Sequence, residues 1–439
     1  MSRILPLYLI IILCFCNFSN HTYAQVVSTY AGDTTNGYSG DNHSAAHAQL
    51  MQPYGIAVDQ KNNLYIADHA ANCIRKVDST GIITTFAGTG VAGFSGDSSL
   101  ATAALLNGPT SVAADRFGNV YIADNGNFRL RKVDTNGIIT TIFYDYVYMT
   151  IPLTVAVNQQ GRVYFTALNY FYYFIDSVDV LTLEDTTGTP IWMQEPNGIT
   201  FDSVGNMYVA VSTGSTGNIV KVDTFGHCTN LAGDGSCGSG CYDSVNALSV
   251  GLYGFTGIAR DDSGNIYACE STSSRIVKVN RFGFLTTYAG TCYYGGHTGD
   301  GGYALSAYID VGETYDNYNP LAIDKAGNIY MAEVDYHDIR KITPGGIATT
   351  SVIKSSAIAI NTNLSISPNP NNGDCAIFLS SPVEEQAQIT VTNMLGERIK
   401  EFSLHTNSSM KANFDFSPGV YILSASASTG KYNTKFTIR

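Results

Sequence analysis

The sequence predicts an all-β chain: a propeller of six four-stranded blades followed by a small immunoglobulin-like β-sandwich. Three observations predict it. A segment typified by YGIAVDQKNNLYIAD at 54–68 recurs along most of the chain. The composition is low in charge (14%) and rich in Gly (43) and Tyr (29), which suits strands and tight turns rather than helices. From 364 onward the recurrence stops and apolar and polar positions alternate to the end.

The 439 residues suffice for one large repeat domain and one small one. The net charge is −12 and no Lys/Arg cluster is present, so nucleic acid is excluded as the expected partner, because phosphate binding needs clustered cations. Arg3, the apolar run Leu7–Phe15 and the small-x-small step Thr22-Tyr23-Ala24 predict a signal peptide over 1–24, with the mature chain starting at Gln25. A membrane-spanning helix needs about 20 apolar residues, so no span is expected after cleavage. Bulky Leu13 and Phe15 before Cys14 and Cys16 disfavour lipidation.

The propeller is expected over 25–355. Its copies lie at 54–68, 110–124, 197–210, 256–270 and 319–333, with a worn one, LTVAVNQQGRVYFTA, at 153–167. The shared Tyr65, Tyr121, Tyr164, Tyr208, Tyr267 and Tyr330 are separated by 56, 43, 44, 59 and 63 residues, a blade period with inserted loops. Each copy opens on a short apolar strand, as in Ile56-Ala57-Val58, which suits an inner strand packed on both faces. An Asp and a turn ending in Gly-Asn follow, supplying the positive φ of a hairpin. Tyr65 and its counterparts open the second strand. The third alternates apolar and basic residues (CIRKVD at 73–78, RLRKVD at 129–134), and the fourth reads IITTFAG at 82–88 or FLTTYAG at 284–290. In the worn copy the aromatic run Tyr170–Phe174 replaces the usual turn after strand two, so its outer strands are placed only loosely. VVSTYAG at 26–32 looks like a fourth strand with no blade before it. Joining it to the last blade would close the ring, but 347–353 is a rival fourth strand.

Residues 109–134, PTSVAADRFGNVYIADNGNFRLRKVD, resemble the NHL repeat almost throughout, and the resemblance extends over roughly 26–353. It implies a six-bladed ring. Some NHL propellers are lyases that hold a metal on axial histidines, but no His recurs here in register with the repeat.

A second repeated element joins the blades: GYSGDNHSAAHAQL at 37–50, GFSGDSSLATAALL at 93–106 and GHTGDGGYALSAYI at 296–309, with an altered relative at 233–252. It predicts a Gly-Asp turn and a short alanine-rich helix starting near Asn42, Asp97 or Asp300. If the loops cluster on one rim they form a binding surface, and Asp41, Asp97 and Asp300 are candidate calcium ligands. One Asp per loop falls far short of a calcium shell, which favours a turn that plugs the gap between blades. No cofactor is predicted, and calcium is the one ion these loops would suit. His43 and His47, four apart in the expected helix, could share a metal but lack the Glu of a zinc protease motif. Asp68, Asp124, Glu270 and Glu333 recur at the end of strand two. They are candidate ligand-binding acids near the axis, against the blander account of partners within each blade such as Arg75 or Arg131. Of the mature cysteines, Cys237 and Cys241 could close a small ring. No catalytic Ser, metalloprotease or nucleotide motif is present.

After a linker expected at 356–363, the segment 364–439 reads as a sandwich. Ser367-Pro368-Asn369-Pro370, Asn393-Met394-Leu395-Gly396, Pro418-Gly419-Val420-Tyr421 and Lys435-Phe436 resemble the type A sorting domain of the type IX secretion system. Pro368, Asn369, Pro370, Gly419, Tyr421 and Lys435 carry that motif. The resemblance implies recognition by the type IX machinery and a secreted or cell-surface destination. The expected function is a non-catalytic binding module for an extracellular protein or glycan. The alternative is a metal-assisted lyase or hydrolase acting on polysaccharide or peptide at the propeller axis.

Overall fold

The structure is a computed structural model. It describes residues 25–144, 151–167, 172–175, 178–180, 184–185, 196–213, 216–238, 240–292, 295–312, 320–345, 364–367, 374–379, 386–393, 397–406, 409–427 and 430–438. The leader at 1–24, the linker at 356–363, the rival strand at 347–353 and Pro368, Asn369 and Pro370 lie outside the described residues. Two compact units divide the chain, Met1–Ser351 and Val352–Arg439.

The first unit holds six sheets, antiparallel throughout except where Glu184–Asp185 adds parallel to His227–Ala232. Blade one shows the pattern: strands Pro53–Val58, Leu64–Asp68, Cys73–Val77 and Ile82–Ala87 pair in sequence order. The turn between the first two strands explains the repeat. Asp59 Oδ1 accepts from the N–H groups of Lys61 and Asn63, and Oδ2 accepts from Asn63 Nδ2 at 2.7 Å and Tyr65 OH at 3.3 Å. Asp115–Asn119–Tyr121, Asp202–Asn206–Tyr208, Asp261–Asn265–Tyr267 and Asp324–Asn328–Tyr330 repeat the clasp. One carboxylate therefore satisfies the turn backbone and anchors the ring that opens the next strand. In the worn third blade Asn158 takes the place of the Asp and still holds the turn through the N–H groups of Gln160 and Arg162. There Tyr172–Ile175 forms the third strand, with Tyr164 opposite Phe174.

Both faces of a blade are apolar, so each blade is buried by its neighbours. Six core clusters each join two successive blades. One of them places Ala31, Ala322, Tyr330, Ala332 and Ile339 of blade six against Ile56, Ile66 and Val77 of blade one. Threonines beneath the inner strands add polar ties: Thr110 Oγ1 donates to Leu153 O at 2.8 Å and Thr154 Oγ1 to Asn197 O at 3.1 Å.

Closure is achieved by the N-terminal strand. Val26–Ala31 pairs antiparallel with Asp338–Thr343 and becomes the fourth strand of blade six, outside Ile329–Glu333 and Leu321–Ile323. Gly32 ends it with φ +97°, and a Cβ there would lie 2.5 Å from His337 O and 2.6 Å from Asp338 Cα. Gly88 occupies the same place in blade one, with φ +91°.

The second unit is a β-sandwich. Leu364–Ser367, Asp374–Leu379 and Ser409–Asn413 form one sheet. Arg398–His405, Gln386–Asn393, Gly419–Ala427 and Gly430–Ile438 form the other. Ile377, Ile389, Val391, Phe414, Leu423 and Phe436 fill the space between them. Gly419 begins its strand, Tyr421 is buried and donates its hydroxyl to Ser417 O at 2.7 Å, and Lys435 pairs with Ile422 in the register.

The seam sets a test. Gly32→Ala meets both a left-handed φ and backbone in contact range, and should cost about 3 kcal/mol or more. Gly81→Ala, with φ +85° but open space around it, should cost roughly 1 kcal/mol. Urea denaturation of the mature chain measures both, and equal losses would show that the seam is not under backbone constraint.

Candidate functional site

Strands alternate in direction, so the turns between strands one and two and between strands three and four share one face of the ring. The contacts agree: a Cβ on Gly118 would lie 3.3 Å from Thr135 Cγ2, and one on Gly264 would lie 3.7 Å from Arg281 Cβ. The six inner strands surround an axial channel of about 270 Å³, bordered by residues such as Ile56, Val112, Val155 and Ile258, whose side chains are buried between blades, with Gln159 and Arg260 among them. At the turn face it opens into a polar mouth of about 210 Å³, bordered by Gln60, Arg116, Gln159, Asp262 and Lys325 around the clasp residues Asp59, Asp115 and Asp324. Phe117, Val204, Phe225 and Phe282 stand exposed on this face, from 57% to 85%. Arg116 lies over the Phe117 ring at 4.6 Å and Arg281 over Phe282 at 4.8 Å.

The acids at the end of strand two do not line this channel. Asp68, Asp124, Glu270 and Glu333 are buried inside their blades, where strand two meets strand three. Asp68 accepts from the N–H groups of Met51 and Gln52, and burial pushes its carboxyl up to about 6 against those bonds and Arg75. Asp124 accepts from Asn107 N and Asn127 Nδ2, both at 2.8 Å, and lies 3.3 Å from Arg131. Burial pushes it up as well. Glu270 binds Arg275 Nε at 2.5 Å and the Ser273 hydroxyl. Glu333 accepts from Asp310 N at 3.0 Å and faces Arg340 at 3.6 Å. All four are engaged within their blades or by the adjoining loop, Glu333 also by His297, and none of them borders the axial channel.

The inter-blade loops also differ from expectation. Each forms a single 3₁₀ turn, Ala45–His47, Ala101–Ala103, Ala247–Ser249 or Ala304–Ser306, not an α-helix. Asn42, Asp97 and Asp300 do not cap these turns. Asp41, Asp97 and Asp300 instead meet buried guanidinium groups: Arg75 at 2.6 Å, Arg131 at 2.9 Å and Arg340 at 2.6 Å. Calcium binding at each single Asp would compete with that pairing. Asp41 also accepts from Thr85 N, and Asp300 from Thr29 N, at fourth-strand bulges where the ladder register shifts. The altered loop keeps this device: Asp243 accepts from Thr287 N at 3.0 Å. Its recurring role was hidden in the sequence by the missing Arg, whose place in blade five is taken by Val277. Ala45, Ala48 and Leu50 are buried between blades six and one, so the loop is a wedge. His43 and His47 are exposed and share no helical face, because His43 lies in a two-residue strand. Cys241 is bridged to Cys292 rather than to Cys237. Burial pushes the thiols of Cys73 and Cys269 up, which leaves them inert.

The profile of the Teneurin NHL domain matches residues 27–93, and that of the secretion system C-terminal sorting domain matches residues 365–439. Human Teneurin-4 is 28% identical over 215 residues, which is 42% of this chain but 8% of that protein. The chain thus spans less than a tenth of such relatives. Among solved structures, a protein of unknown function from Bacteroides thetaiotaomicron superposes with a TM-score of 0.54 at 19% identity, over 73% of this chain and 76% of the other. One from Bacteroides ovatus, described as an auxiliary nutrient binding protein, gives 0.53 at 17% identity, over 73% and 77%. These likenesses show the fold.

The Arg–acid pairs generate an ordered prediction. Arg131→Met leaves Asp124 buried without its cation and should cost about 3–5 kcal/mol. Asp97→Ala, whose side chain is 41% exposed, should cost about 1 kcal/mol or less. Urea denaturation checks the order.

Proposed function

We propose that this NHL-repeat propeller, exported through its C-terminal type IX sorting domain, is a non-catalytic binding module whose ligand, an extracellular glycan or protein, docks on the turn face over the axial mouth. The observation that carries this reading is the combination found there: a polar concavity of about 210 Å³ shares its face with exposed aromatic rings. A hydroxyl-rich ligand would match the carboxamides and charged groups of the mouth, while Phe117, Phe225 and Phe282 offer flat apolar surface. The inter-blade loops are less suited to the task, because their acids are engaged by arginines and their alanines are buried.

The sorting domain places the mature protein outside the cell or on its surface, and no helix among the described residues is long and apolar enough to cross a membrane. In the proposed route, signal removal after Ala24 precedes recognition of 364–439 by the outer-membrane translocon, with 356–363 as the joint between tail and propeller.

Two experiments test this reading. A glycan and protein array probed with the full mature chain should retain a ligand, and Arg116→Ala combined with Gln159→Ala should reduce that retention at least tenfold, about 1.4 kcal/mol, with an unchanged unfolding midpoint. Undiminished retention would remove the mouth from the reading. Deletion of 361–439 should leave the propeller in the periplasm. Normal surface appearance of the truncated chain, detected by antibody on intact cells, would overturn the sorting role.

A further inference from the structure

We propose that His297, Glu333 and Asp338 form a binding site for one divalent transition cation, of the zinc or manganese class, at the seam where the N-terminal strand closes the ring. One nitrogen of His297 and one carboxylate oxygen from each acid lie within 4.8 Å of one another. His297 Nδ1 is 2.5 Å from Glu333 Oε2, and Nε2 is 3.5 Å from Asp338 Oδ2. Both acids are fully buried, while His297 is 17% exposed and opens the cluster toward solvent. Its ring stacks on Tyr336 at 5.0 Å, which fixes its plane.

The second observation is Asp338 itself. Its Oδ1 is buried and has no hydrogen-bond partner among the described residues. In the register between strands two and three, the residue opposite the conserved acid is Cys73 in blade one, Arg129 in blade two and Arg275 in blade five. Blade six alone among these sets a second acid there, opposite Glu333. The local cation does not offset it, because Arg340 is already held by Asp300 at 2.6 Å and faces Glu333 at 3.6 Å. Three carboxylates thus face one guanidinium and one imidazole, leaving one net negative charge with the imidazole protonated and two with it neutral. A dication cancels the deficit and gives Oδ1 a partner. An imidazole with two carboxylates suits zinc, manganese or ferrous iron, whereas calcium prefers an all-oxygen shell of six to eight ligands.

The site also touches the closing strand. Thr29 Oγ1 donates to Asp300 Oδ2 at 2.6 Å and lies 3.4 Å from Asp338 Oδ2. A cation held by Asp338 therefore ties strand three of blade six to the loop that carries His297, beside the strand that closes the ring.

The test is calorimetric titration of chelator-stripped mature chain with Zn²⁺, Mn²⁺ and Ca²⁺ separately, together with thermal unfolding. The expected result is one equivalent of Zn²⁺ or Mn²⁺ bound and a raised unfolding midpoint. Both effects should weaken at least tenfold in His297→Ala and in Asp338→Asn and persist in His43→Ala/His47→Ala. Asp338→Asn removes an uncompensated charge, so it keeps the fold and makes loss of binding interpretable. No saturable binding, saturable binding of Ca²⁺ alone, or unchanged Zn²⁺ binding in Asp338→Asn would overturn the proposal.

Discussion

The ring depends on mutual burial between successive blades. A four-stranded sheet with two apolar faces cannot bury either one itself, and here each face is covered by the next blade. The first and last blades must therefore meet, and the chain accomplishes this with its first described strand. Val26–Ala31 adds to the outer edge of blade six, so the final sheet contains residues from both ends of the repeat region. This connection makes the ring cooperative: Val27 belongs to the core between blades five and six, and Ala31 to the core between blades six and one.

Within that constraint, polar groups divide the labour by position. Near the axis the Asp clasp holds the turn and fixes the tyrosine. Further out, a buried Arg reaches from strand three to the inter-blade loop and pins the wedge that fills the gap. Arg75, Arg131 and Arg340 are fully buried, and each accounts for its charge through a loop Asp and loop carbonyls such as Ser39 O, Ser95 O and Thr298 O. The inter-blade loops, where one Asp apiece favours a plug over a calcium site, are thus structural mortar. The proposed ligand is placed instead on the turn face, where exposed side chains such as Phe117, Phe225 and Phe282 carry no such load.

The repeat was legible because a blade is a local object. Its strands follow one another with short turns, and the Asp–Gly–Asn–Tyr spacing lies within seven residues. The strands of blade one, and the fourth-strand character of 26–32, follow from pattern alone. The helix expected to start near Asn42 was not realised, because the chain has to run beside the outer strand, where His43 and Ser44 pair with Ile83 and Ile82, and only the single turn Ala45–His47 fits before Leu50 enters the core. The pairing of Asp41 with Arg75 was hidden by sequence distance. His297 escaped notice for the same reason, since its partners lie on the far side of an inserted loop. The one local signal was Asp338 itself, an acid in a column that holds Cys73, Arg129, Asn218 and Arg275 in four other blades.

That exception bears on how a repeat protein acquires individuality. A feature present in every blade must satisfy the geometry of every blade, so the recurring acids and arginines serve the scaffold. Chemistry beyond the scaffold arises where one copy departs from the rest and the departure raises an unmet electrostatic demand. Blade six departs twice, by borrowing its fourth strand from the N-terminus and by placing Asp338 opposite Glu333. Both departures fall on the same seam. A charge deficit there acts on the joint that every blade needs, whereas the same deficit inside a middle blade would act on two interfaces alone.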